Sequence, residues 1–290
     1  MVGASAVLLG GLAVAPAGTA TAGGSAAAAA CSLTAGSITA SGDIAGTVIT
    51  ASSPIIAKRT TGPRMFSPGV AKIASTWTKT IGVGADYQVY GQVILNSTLY
   101  SGAYGQDTSG KPYTSLKSRG SGYNGYKVIE TSQYWGKVFR GAEYSLRGDG
   151  VLYRYTPATK AVSRWPGYSA VKTMALISET PTYDTFLANT YGGALYTIHI
   201  PVDVRQSPVV KKVRTSTWQS FEHLVAEKCG SQGTLLAGID KDTGSAYLYA
   251  VGHANGPSTL IKGLGKVPGS FADPVYYLHT AEGSAPLYGE

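Results

Sequence analysis

The chain has 290 residues, a formal net charge of +8 and only 14% charged residues. Gly (38) and Tyr (20) are plentiful beside Val, Ile and Thr, and no long stretch repeats its apolar positions at helical spacing, which excludes an all-α fold. Lys and Arg are scattered singly, apart from Lys58-Arg59 and Lys211-Lys212, which excludes a nucleic-acid-binding stripe.

Residues 1–30 hold no charged residue and include an apolar run from Ala6 to Ala15 followed by small residues. That is the build of a secretory signal peptide, although no Lys or Arg precedes the run. The run is too short for a stable membrane span. The expectation is an exported chain with a leader at 1–30 and a single domain at 31–290. Its two cysteines, Cys31 and Cys229, make an even count that favours a disulfide in an oxidising compartment. A second reading makes Cys31, after Ala28-Ala29-Ala30, a lipid-anchored residue, though no Leu stands three positions ahead of it. The four histidines show no ligand spacing, so no metal and no cofactor is expected.

Short strands at 46–50 and 55–58 open the chain after the leader. A Leu-Tyr pair then recurs at Leu99-Tyr100, Leu152-Tyr153, Leu195-Tyr196 and Leu248-Tyr249, at intervals of 53, 43 and 53 residues. Each pair follows a hairpin signal: Asn96-Ser97, Asp149-Gly150, Gly192-Gly193, and Asp242-Thr243-Gly244-Ser245. Phe66 opens a first, looser unit. The unit from Tyr126 reads as strands at 126–132, 137–145, 151–156 and 161–165. That from Tyr168 reads as 171–178, 185–189, 194–201 and 208–213, and that from Phe221 as 221–227, 233–239, 246–251 and 258–262. The last unit, from Phe271, has only two strands of its own, around Val275 to Leu278 and at Pro286-Leu287-Tyr288. Four short antiparallel strands every roughly 50 residues is the pattern of a propeller blade. The two N-terminal strands complete the last unit, so the expected fold is all-β: a five-bladed β-propeller of four-stranded antiparallel blades, closed by pairing N- and C-terminal strands. Six or seven blades would need residues beyond this sequence.

The repeat resembles that of tachylectin-like five-bladed propeller lectins, in a bacterial secreted form. The resemblance rests on the repeat length, the aromatic-led first strand in Trp218-Gln219-Ser220-Phe221, the Gly-led strand Gly233-Thr234-Leu235-Leu236-Ala237 and the turn strand Gly150-Val151-Leu152-Tyr153. It implies binding of N-acetylated amino sugars in pockets repeated around one face. The irregular spacing departs from the family's pattern and limits how many such pockets are intact.

A sugar site needs a flat aromatic face for C–H groups and fixed polar groups for hydroxyls. The loops that offer both contain Tyr123, Asn124, Asp149, Trp165, Tyr168, Trp218, Asp240 and Asp242, and these are the expected glycan-binding residues. Blade-opening aromatics also commonly pack between sheets, and the Asp240-Lys241-Asp242 loop reads as a turn in preference to a calcium site. No catalytic residue is expected: a Gly-x-Ser-x-Gly elbow and a His-Glu-x-x-His helix are both missing from the sequence. The functional expectation is a non-catalytic lectin for cell-surface or cell-wall glycans, with anionic envelope polymers as further candidates. A protein-binding subunit of a secreted assembly and a propeller glycoside hydrolase or polysaccharide lyase are the alternatives.

Overall fold

A computed structural model describes residues 30–84 and 86–290. The expected leader at 1–30 therefore lies outside the described residues, apart from Ala30. The described chain is all-β, with one 3-10 turn at Gly256–Ser258. A meander of β1 (Ser32–Ile38), β2 (Asp43–Thr50) and β3 (Ile56–Arg64) comes first. It is followed by β4 (Ala71–Ala74), β5 (Trp77–Ile81), β6 (Tyr87–Leu95), β7 (Thr98–Gln106) and β8 (Pro112–Ser121).

Three four-stranded antiparallel sheets follow, each built in chain order. They are β9 (Tyr126–Tyr134), β10 (Arg140–Arg147), β11 (Leu152–Thr156) and β12 (Ala161–Trp165); β13 (Val171–Glu179), β14 (Tyr183–Thr190), β15 (Leu195–Pro201) and β16 (Val209–Arg214); and β17 (His223–Cys229), β18 (Gly233–Asp240), β19 (Ser245–Val251) and β20 (Ile261–Lys266). The last strand, β21 (Val275–Ala281), joins the two ends of the chain. Its first half pairs antiparallel with β1 and its second half parallel with β5, giving a nine-stranded sheet ordered β3-β2-β1-β21-β5-β6-β7-β8, with β4 also on β6.

The strands expected in the three central units fall where they are found, with ends shifted by a few residues, except that the one expected at 258–262 begins only at Ile261, because Gly256–Ser258 form a 3-10 turn. Alternation explains why. The Leu of each Leu-Tyr pair (Leu99, Leu152, Leu195, Leu248) is buried between sheets, and its Tyr is less so.

Chain closure differs from the expectation of two strands from each end. One C-terminal strand, β21, joins three N-terminal ones. β1 escaped notice because Ser-Leu-Thr-Ala-Gly-Ser-Ile reads as more of the small-residue leader. Its small residues have a packing reason: a Cβ on Gly36 would lie 2.3 Å from the Tyr277 ring of β21. Leu287-Tyr288, expected as a second strand there, lies instead along β13. Leu287 O accepts from Glu179 N at 3.0 Å, and Gly289 N donates to Ile177 O at 2.9 Å.

One hydrogen bond recurs five times. After each outer strand (β3, β8, β12, β16, β20), a linker amide donates to the carbonyl of a turn between two strands of the sheet just left. The pairs are Phe66 to Gly42 (3.1 Å), Tyr123 to Ser97 (2.9 Å), Tyr168 to Gly150 (2.9 Å), Trp218 to Gly193 (3.0 Å) and Phe271 to Gly244 (3.0 Å). Each turn contains a left-handed residue: Gly42, Asn96, Gly150, Gly193 or Gly244. Gly and Asn take this conformation at low cost, which is why the hairpin signals were readable.

The inner strands also follow one another in contact: β4 with β9, β9 with β13, β13 with β17, β17 with β21, and β21 with β4. Apolar clusters fill the spaces between neighbouring sheets. Phe186, Leu152 and Ile198 lie in one, and Trp218, Phe221 and Leu236 in the next. In a third, the Cys31–Cys229 disulfide ties β17 to the residue preceding β1 across a sequence separation of 198. By loop closure such a bond stabilises the fold by about 5 kcal/mol. The Cys31 sulfur is thus committed to Cys229, which counts against the lipid anchor.

Candidate functional site

Antiparallel strands put successive turns at alternate ends of a sheet. The five bonded linkers and turns share one end. The turns between first and second strands, and between third and fourth, share the other. The expected glycan-binding residues all lie at the first end.

There, the Tyr123 ring lies 4.9 Å from Tyr126, and Asn124 is exposed beside it. Asp149 is exposed and paired with Arg147, which holds its carboxyl below the usual range. Trp165 lies under the Arg154 guanidinium at 5.4 Å, and together with half-buried Tyr168 packs on the core. The Tyr168 phenol is pushed up by that burial. Trp218 is 5% exposed, with Phe221 at 5.6 Å and Tyr249 at 4.9 Å, so its ring packs between sheets and offers no open face. Asp240 Oδ1 accepts the Thr243 amide at 3.0 Å, a turn bond, and Asp242 is exposed. The structure does not gather these eight residues into one pocket.

A concavity opens at the other end, between the β4–β8 strands and the β9–β12 sheet, with a volume of about 420 Å³. Alternation on two strands makes its first wall. Val89, Gly91 and Val93 of β6 and Tyr100, Gly102 and Tyr104 of β7 point to one face, where Trp77 covers the paired glycines. A Cβ would meet the indole at 2.5 Å from Gly91 and 2.8 Å from Gly102. The opposite face presents Tyr90, Gln92 and Ser101 to the cleft.

The second wall comes from Thr131, Gln133, Phe139 and Glu143. Arg119 of β8 reaches across with both terminal nitrogens to Glu143, each at 3.2 Å, and ties the walls together. Glu143 is the one carboxylate among the described lining residues, and this two-point contact occupies both its oxygens. Tyr90 is half-buried, and burial raises its phenol. Phe139, 54% exposed, stands at the lip with Trp135, the ring centroids 4.5 Å apart.

Sequence reasoning missed this cleft. The available signal was the polar alternation Gln88, Tyr90, Gln92 inside an otherwise apolar strand. It shows that the strand's second face is not fully closed by its neighbour.

A narrower channel, of about 130 Å³, runs among the inner strands. Five glutamates line it, Glu130, Glu179, Glu222, Glu227 and Glu282, and three of them hold strand amides. Glu130 accepts the amides of Thr76 (2.7 Å) and Thr131 (2.8 Å), Glu179 that of Gln133 (3.0 Å), and Glu227 that of Lys228 (2.9 Å). Burial raises all three carboxyls, Glu179 to about 8. His223 also lines it, lowered to about 4 by burial and by the nearby Lys241 and Lys172 charges. The amide contacts describe these glutamates: they satisfy edge N–H groups that the inner strands leave unpaired.

No helix among the described residues is long and apolar enough to cross a membrane. Neither a comparison with protein-family models nor one with curated proteins finds a match for the chain.

Proposed function

We propose that the chain is a secreted five-bladed β-propeller that binds carbohydrate without catalysis, in the manner of tachylectin-like lectins. The five recurring linker bonds and the closed circuit of inner-strand contacts support five blades, the last assembled from β21 with β1, β2 and β3. The Cys31–Cys229 bond suits export to an oxidising compartment.

The observation that carries the binding function is the cleft beside β6 and β7. It offers the Tyr90 ring, the amides of Gln92 and Gln133 and the Ser101 hydroxyl within one concavity, and its carboxylate is already engaged. A neutral sugar needs that mixture of apolar face and fixed polar groups. A glycan array with the purified chain tests the reading. Binding to a narrow set of sugars that survives moderate salt, is competed by free sugar and is lost in Ser101→Leu supports it. Binding unchanged in Ser101→Leu but lost in Tyr123→Ala moves the site to the loop end, and no glycan binding defeats the proposal. The exposed Trp135–Phe139 tip favours a second reading, a protein-docking face, which co-purification with exported proteins would test.

A further inference from the structure

The outer strands sort charge by sign. β3, β8, β12, β16 and β20 each carry at least one Lys or Arg, and none of them holds an Asp or Glu. Elsewhere the signs mix, the whole chain having 24 Lys and Arg against 16 Asp and Glu.

Part of this has a folding explanation, since lysine on an open edge discourages pairing with another sheet. Edge protection needs no more than a cation or so per strand, and it predicts nothing about continuity between edges. Yet β16 holds Lys211-Lys212, and β20 holds Lys262 and Lys266. These lysines, with Lys58 of β3 and Lys117 of β8, are exposed and form no ion pair among the described residues. By contrast, Arg59, Arg64 and Arg119 are held by Asp273, Asp43 and Glu143.

Three of the edges adjoin. Lys211 Nζ donates to Asn255 Oδ1 at 3.3 Å, on the turn that leads into β20. A Cβ on Gly265 of β20 would lie 3.6 Å from Ile55 Cδ1, the residue before β3. Lys211, Lys212, Lys262, Lys266 and Lys58 therefore lie on three adjoining edges, a basic band in that sense, and none of them lines the cleft.

We infer that this band is a binding surface for a linear anionic polysaccharide, separate from the cleft. Unpaired lysines spaced along consecutive edges match a ligand whose charges repeat along its length. β3, β16 and β20 themselves contain no aromatic residue, and the rings beside them are single ones, Tyr196 under Lys212 Nζ at 5.8 Å and Tyr247 opposite Lys266, so charge and not stacking dominates the band. The disulfide suits an oxidising compartment, and cell-surface polymers are met in such a compartment.

The test is binding of the full chain to dextran sulfate, with single-stranded DNA of equal charge in parallel. Native protein should bind dextran sulfate at about 50 mM salt and release it steeply towards about 200 mM. The five-fold variant K58Q/K211Q/K212Q/K262Q/K266Q should lose roughly tenfold or more in affinity at the lower salt, because each cation contributes to counterion release. The matching five-arginine variant should bind like the native chain. Ser101→Leu should leave this binding intact while abolishing sugar binding in the cleft, which separates failure of this inference from failure of the lectin reading. Unchanged melting temperatures establish that the variants are folded. Native protein that ignores dextran sulfate, a glutamine variant that binds it equally well, or DNA bound as tightly as the polysaccharide would each overturn the inference.

Discussion

The β9–β12 sheet has two neighbours and meets them in opposite ways. On the β13–β16 side, Asp184 is fully buried and accepts from Ser132 (2.6 Å), Tyr144 (2.6 Å) and both terminal nitrogens of Arg140 (2.8 and 2.6 Å). Arg140 Nε adds a bond to Thr180 O at 2.9 Å, and a thirteen-residue apolar cluster fills the rest of that interface. On the β4–β8 side, only Ile94, Leu99 and Ile129 form the buried cluster, and the cleft takes the remaining space. Both interfaces have an arginine–carboxylate link. In the first the pair is desolvated and every oxygen is satisfied; in the second, Arg119–Glu143, it is about a third and a fifth exposed. The same sheet is thus cemented on one face and left partly open on the other, and a ligand site has room only where packing is incomplete.

The largest effect should come from breaking the sealed side. Asp184→Ala leaves the Arg140 charge and two hydroxyls buried without their acceptor, and should destabilise the fold by about 3–5 kcal/mol, read by denaturant unfolding. A loss below about 1 kcal/mol would show that water enters and that the two interfaces are more alike than their packing indicates.

Next in size is the pH response of Glu179, which spans the same sealed interface to Gln133. Its folded-state pKa of about 8 lies above the ordinary glutamate value of 4.5, so the folded state holds the extra proton and stability falls as pH rises between those values. His223, lowered from 6.5 to about 4, pulls the other way below pH 6.5 and is neutral in both states above it. Native protein should therefore lose on the order of 1 kcal/mol relative to Glu179→Gln between about pH 6.5 and 8. Parallel stability curves over that range would rule the effect out.

The open side should respond less. Arg119→Ala removes a partly exposed link, with an expected loss of about 0.2–1 kcal/mol by unfolding. Ser101→Leu, which puts an apolar group into the cleft and gives up only a long contact from Arg119 Nη1 to the hydroxyl (3.5 Å), should change stability by less than about 0.5 kcal/mol while removing sugar binding. A large loss of stability there would mean that the cleft is a structural joint and not a site.

How far the sequence could be read follows the same division. The strands of the three complete sheets were legible because turn chemistry and two-residue alternation are local: Asp149-Gly150 announces a hairpin wherever the chain goes. The disulfide was legible from an even count. Of the expected site residues, Trp218 has its ring enclosed between Phe221 and Tyr249, and the others are spread over several linkers and turns. An aromatic in a linker reads the same whether its ring packs or is presented, since that depends on the neighbouring sheet. The cleft residues Tyr90, Gln92, Ser101 and Gln133 belong to different strands and carry no motif.

By itself, then, the sequence determined that this is an all-β chain of repeated hairpins, because turn chemistry and alternation are set by neighbours along the chain; its two cysteines favoured a disulfide, but only the fold brought them together across 198 residues. Only the tertiary structure decided that β21 closes against β1 and β5, that the tail at Leu287 lies along β13, and that space remains beside β6 and β7. Those outcomes depend on which sheet face meets which across separations that run from 44 residues, where Asp184 must find Arg140, to more than two hundred, where Gly36 must admit Tyr277, and no local pattern encodes such a meeting.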